Sequence, residues 1–212
     1  MNTPAHLIFG LTVFGKADAP KVNVAALAGA MIPDLSLYLL AFWHLQLLGT
    51  PADIVFGQLY FSDAWQSIFR IDNSMVLWGI ALVIGIMWRA PILIALCGAA
   101  MLHLGLDFLL HNDDGRAHFW PISNWIFQSP VSYWDGDHYG NIVGPLEVLV
   151  SLICCGVLCG SRTGLCLLGD VWRWCIKKTR PTQNRVSLFH VAKSLCSACF
   201  LLGCVPAFAF FA

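Results

Sequence analysis

Long uninterrupted apolar runs constrain this chain more than any other feature. Pro91–His111 and Leu188–Ala212 are each long enough to cross a bilayer, and Ile142–Gly160 is adequate. The yardstick is a rise of about 1.5 Å per residue against a hydrocarbon core about 30 Å thick. Ser74–Trp88 is shorter and must reach into the interface at one end. Two further apolar stretches, Thr3–Gly15 and Val22–Trp43, flank the turn-like Lys16-Ala17-Asp18-Ala19-Pro20-Lys21. Pro33-Asp34 interrupts the second, which reads either as one kinked span or as a half-span followed by another helix. Between Leu48 and Arg70 aromatic and polar residues alternate irregularly, as in a segment lying at the interface. Backbone exposed to lipid must satisfy its hydrogen bonds internally, so the expectation is an all-α, multi-pass membrane protein without a β-sheet. Five or six membrane helices are expected. Residues 1–140 form the membrane-embedded part that carries the candidate site, and 141–212 a C-terminal helix pair with a basic connection.

Composition excludes the soluble alternatives. Hydrophobic residues make up 58% of the chain and charged residues 11%, against about 45–50% and about 25% in soluble domains. Lys plus Arg and Asp plus Glu balance at 12 each, so no basic field exists to hold nucleic acid, and membrane lipids are the expected partners. Of the nine cysteines, Cys97, Cys154, Cys155, Cys159, Cys196, Cys199 and Cys204 lie inside apolar runs. There cysteine packs as a small hydrophobe. The Cys196-x-x-Cys199 pair lies beside no predicted strand and so lacks the context of a redox motif. No basic region precedes Ala5–Gly15, so insertion is expected to rely on the spans rather than on a cleavable signal.

Basic residues orient the bundle. Arg162, Arg173, Lys177, Lys178, Arg180 and Arg185 crowd the connection between the last two spans, which is therefore expected to be cytoplasmic. Counting back through the spans puts the loop 112–141 outside. Lys16 and Lys21 independently put the first turn inside. The expected location is the bacterial inner membrane.

That topology gathers ionisable groups at one level. His103, Asp107 and His111 follow i, i+4, i+8 spacing and share one face at the outer end of a helix. His6, Asp34 and Asp72 fall at the same level, and the following loop adds Asp113, Asp114, His118, Asp135, Asp137 and His138. A central Asp costs about 2.5–3.5 kcal/mol on insertion scales, so such residues need a reason to be there. One is a local His103–Asp107 bond that satisfies a polar patch. The other is metal ligation, because imidazole nitrogen and carboxylate oxygen suit Zn, Mn or Fe and a hydrolytic ion needs about three protein ligands. His6, Asp34, His103 and Asp107 would supply that set, with Asp72, His111 or His118 as supporting or acid–base partners. His44, His190 and Glu147 read as interfacial or packing residues, and Asp135, Asp137 and His138 as solvated. The aromatic stretch Trp120–Ser132 suits a belt along the membrane plane that partly covers the cluster.

At these residues the chain resembles a family of bacterial membrane-bound metal-dependent hydrolases, the YdjM-like group. The resemblance covers roughly residues 2–125 through His6, Pro33-Asp34, Asp72-Asn73-Ser74, His103-x-x-x-Asp107, Gly115 and Pro121. It implies a divalent metal, Zn or Mn, held by His6, Asp34, His103 and Asp107, with Asp72 and His111 as catalytic partners. The substrate would be a lipid or lipid-linked ester at the outer interface. Asn73 stands where the family usually has His, and Ser36 where a second Asp is common. A link to cobalamin biosynthesis, which such sequences sometimes carry, finds no support, since no P-loop or G-x-G-x-x-G follows a predicted strand. The alternative from another class is a non-catalytic membrane protein, a transporter subunit or assembly partner, with a structural polar cluster.

Overall fold

In a computed structural model of the protein, residues 1–160 are described, and they contain α-helices and no β-strand. The helices are α1 (Thr3–Phe14), α2 (Pro20–Phe42), α3 (Ala52–Ile54), α4 (Asp63–Asp72), α5 (Met75–Met87), α6 (Pro91–Leu110) and α7 (Gly140–Gly160). Among the described residues four helical stretches are long and apolar enough to cross a membrane: Pro20–Leu47, Asp63–Met87, Pro91–Leu110 and Gly140–Leu158. The apolar α1 has only 12 residues. The expected span Leu188–Ala212 and the basic connection 161–187 lie outside the described residues.

Local chemistry sets the helix ends. Proline stands in the first turn of α1, α2 and α6, where a missing N–H costs nothing. Ser62 and Ser74 cap α4 and α5 by accepting from the backbone N–H of Trp65 and Leu77 at 3.4 and 3.1 Å. Of the two readings left open for Val22–Trp43, the structure takes the continuous one: α2 runs through Pro33 to Phe42. The segment expected at the interface forms short helices and widened turns, and α4 buries Trp65 and Phe69 against Ala41, Val55 and Tyr60.

Small residues hold the centre together. Ala25, Ala26 and Ala30 of α2 meet Ala95 and Ala99 of α6. Between them the backbones approach so closely that a Cβ on Gly29 would stand 1.9 Å from the carbonyl oxygen of Leu96. In lipid there is no hydrophobic gain from pairing apolar helices, so close van der Waals contact between small residues holds them together instead. The consequence is functional: side chains one turn further along α6 reach the backbone of α2.

The loop after α6 folds back on it. Ser129 donates through Oγ to the carbonyl of Leu109 at 2.6 Å and through its backbone N–H to that of His111 at 3.0 Å. The backbone N–H of Tyr133 reaches the carbonyl of Leu110 at 3.2 Å. The loop thus satisfies carbonyls that a helix end leaves without partners.

Candidate metal centre

Asp107 is the hub of a buried cluster built from the start of α1, the middle of α2 and the last turns of α6. Its Oδ1 lies 2.9 Å from His6 Nε2, 3.2 Å from His111 Nε2 and 3.0 Å from the Met1 α-amino group. Its Oδ2 lies 3.0 Å from His103 Nε2. Asp34 completes the group, with Oδ1 at 3.7 Å from His103 Nε2. His6 and His103 are each only 1% exposed. Their rings stack with centroids 3.6 Å apart and planes 11° from parallel.

The tautomer of His103 follows from one contact. Its Nδ1 lies 2.7 Å from the carbonyl oxygen of Ala30, which can only accept, so Nδ1 carries the proton. In the neutral ring Nε2 then holds a lone pair. That atom is buried without a hydrogen-bond partner and faces the carboxylates of Asp107 and Asp34. Three acceptors converging on one point in a buried site repel one another unless a cation lies between them. A metal-bound imidazole commonly donates its remote N–H to a backbone carbonyl, as His103 does to Ala30. The donor set also fits: His6, His103 and Asp107 each offer a ligand atom, all within 4.8 Å of one another. Of the ligand atoms that would hold a divalent ion, His103 Nε2 is the one left without a hydrogen-bond partner. His6 Nδ1 is likewise buried without a partner.

Supporting contacts fix the ligands in place. Thr3 Oγ1 donates to Asp34 Oδ2 at 2.5 Å and lies 2.6 Å from the Tyr38 hydroxyl. His111 Nδ1 lies 2.7 Å from Asp114 Oδ2. Burial opposes protonation of His111, but the Asp107 and Asp114 carboxylates outweigh it and raise its pKa. Burial likewise works against the charge on Asp114, and the bond to His111 more than offsets it, holding that carboxyl below its ordinary value.

The expected acid–base pair divides. His111 joins the cluster, whereas the Asp72 carboxylate is met by Asn73 Nδ2 at 3.3 Å. Asn73 itself is structural, since its Nδ2 donates to the carbonyls of Pro33 and Phe69, both at 3.0 Å. His118 sits behind it, with Nδ1 at 3.1 Å from the Asn73 carbonyl. The stretch Trp120–Ser132 packs on Phe108 rather than on the imidazoles, through Phe127 with Trp125 behind it, and Phe119, just before the stretch, meets Phe108 edge-on. Tyr133, just beyond it, is the aromatic residue that lies against His111, at 5.2 Å between centroids.

Sequence reasoning missed two buried charges. Arg116 donates to the Pro33 carbonyl at 3.3 Å, and its guanidinium lies 4.7 Å over the Phe69 ring. Burial works against its charge, but Tyr60, Asp34 and Asp107 outweigh it, so Arg116 stays cationic beside the cluster. Glu147, expected at the interface, is 7% exposed and accepts from the backbone N–H and Nδ2 of Asn2 at 3.1 and 2.9 Å. The only signal for Arg116 was its position one residue after Gly115; for Glu147 it was a lone acid inside an apolar run. His44 fits its expected packing role, with Nδ1 3.3 Å from Thr50 Oγ1 and its ring near Trp65.

No protein-family model, curated protein or solved structure matches the chain.

Proposed function

We propose that the protein is a membrane-embedded, metal-dependent hydrolase that acts on a lipid or lipid-linked ester at the outer face of a bacterial inner membrane. The observation that carries this is the buried Nε2 of His103, which faces the carboxylates of Asp107 and Asp34 at 3.0 and 3.7 Å while Nδ1 is anchored on Ala30. The resemblance to YdjM-like hydrolases points to the same residues. In this reading His6, Asp34, His103 and Asp107 hold zinc or manganese. Such an ion supplies charge stabilisation and a nucleophile at neutral pH. The chain's own residues do the rest. Ala30 fixes the ring of His103, Thr3 holds Asp34 through Oγ1, and Asp114 orients His111. In a one-ion centre His111 is the group placed to exchange a proton with the leaving oxygen. The Arg116 charge favours an anionic substrate or transition state nearby.

The bundle is proposed to have five full spans, the four described and Leu188–Ala212, with α1 as a short sixth membrane helix. Metal analysis of detergent-purified protein tests the reading. Loaded wild type should retain zinc or manganese through gel filtration, and His103→Ala should retain less. A wild type that emerges metal-free after loading refutes the hydrolase in favour of a structural cluster.

A further inference from the structure

We propose, building on the metal-dependent reading above, that the centre holds two divalent cations bridged by Asp107. One ion would take His103 Nε2, Asp34 Oδ1 and Asp107 Oδ2. The other would take His6 Nε2, His111 Nε2 and Asp107 Oδ1.

The stacking of the two buried imidazoles carries the assignment. Two imidazoles on one zinc-like ion, with bonds of about 2.0 Å and tetrahedral angles, diverge from it and put their centroids roughly 5 Å apart. His6 and His103 are instead nearly parallel, with centroids 3.6 Å apart. Each also addresses its own carboxylate oxygen, His6 at Oδ1 and His103 at Oδ2. Because the stacked rings meet different oxygens of one carboxylate, their Nε2 atoms address two positions rather than one. Two positions on either side of one bridging carboxylate are the arrangement of two-metal hydrolytic sites, whose ions lie about 3.5–4 Å apart.

The remaining donors divide the same way. Asp34 lies on the His103 side, with Oδ1 at 3.7 Å from His103 Nε2. His111 lies on the His6 side, with Nε2 at 3.2 Å from Asp107 Oδ1. Two of the three rings have the outer nitrogen held by an acceptor, His103 Nδ1 by the Ala30 carbonyl and His111 Nδ1 by Asp114, whereas His6 Nδ1 has no partner. Carbonyl and carboxylate partners of this kind orient metal-bound histidines. A positive group already lies on the His111 side, where the Met1 α-amino nitrogen is 3.0 Å from both Asp107 Oδ1 and His111 Nε2. In the two-ion centre His111 is a ligand rather than a proton carrier, and a pair of ions can hold both the attacking and the leaving oxygen of an ester.

The test is manganese loading of the full chain in detergent, read by metal analysis and low-temperature electron paramagnetic resonance. Wild type should bind two Mn²⁺ per chain with a spin-coupled signal. His111→Ala should retain one, with the signal of an isolated ion. One ion per chain in wild type, lost on either His6→Ala or His103→Ala, overturns the pair and leaves a one-ion hydrolase standing. Two uncoupled ions in wild type, or two retained by His111→Ala, also overturn it. A wild type that binds no ion overturns both proposals.

Discussion

Gly29→Ala is the smallest change that should reach the candidate metal centre without touching a proposed ligand. A Cβ at this position would stand 1.9 Å from the carbonyl oxygen of Leu96, which is backbone and cannot swing aside. A carbon–oxygen contact settles at about 3.3 Å or more, so α2 and α6 must separate locally by roughly 1.4 Å. The next residue, Ala30, accepts from His103 Nδ1 at 2.7 Å across the same gap. A shift of that size stretches the bond to roughly 4 Å, beyond hydrogen-bonding range. Forcing the helices apart should cost about 1–3 kcal/mol. Leaving a buried donor unpaired adds about 1–3 kcal/mol. Loss of a partner that orients a metal-bound histidine typically weakens metal affinity about 10–100-fold. The assay pairs thermal unfolding in detergent with zinc titration by competing chelator, on Gly29→Ala and on the distant Gly79→Ala, whose added Cβ meets nothing within 4 Å. Gly29→Ala should lose both stability and zinc affinity, and Gly79→Ala neither. Wild-type affinity in a destabilised Gly29→Ala would break the link between helix spacing and site.

Removing the support of His111 by Asp114→Asn should lower metal affinity about 10–100-fold while leaving helix content unchanged in circular dichroism. His118 gives a pH signature: burial lowers its pKa below the ordinary histidine value of 6.5, with the Asn73 carbonyl acting the other way. Between the folded and unfolded pKa values the unfolded chain binds more protons, so its contribution to stability is complete above about 6.5 and is lost as pH falls through the folded value. The unfolding temperature should therefore drop from pH 7.5 to pH 5, and His118→Asn should flatten that dependence; an unchanged slope refutes the assignment. Cysteine labelling from outside should modify Gly136→Cys and spare Lys178→Cys, and the reverse pattern overturns the orientation.

The apolar runs located α1, α5, α6 and α7 from sequence alone, because a bilayer sets the length of a span and the hydrogen-bonding demand of the backbone sets its type. They also located the shared face of His103, Asp107 and His111, since helical periodicity is local. Which distant residues meet that face was open to sequence reasoning only through the cost of burying ionisable groups. His6 and Asp34 could be named on that ground, but the division of His6 and His103 between the two oxygens of Asp107 could not. Tertiary packing decided the rest. Pro33 left two continuations of α2 open. The helix continues where the Pro33 carbonyl accepts from Asn73 and Arg116, while the neighbouring Ala30 carbonyl accepts from His103, all from remote segments. The same geometry gives Asn73 a structural role and draws Arg116 and Glu147 out of solvent. Burial of a charge depends on partners supplied by other elements, and no local pattern encodes those partners.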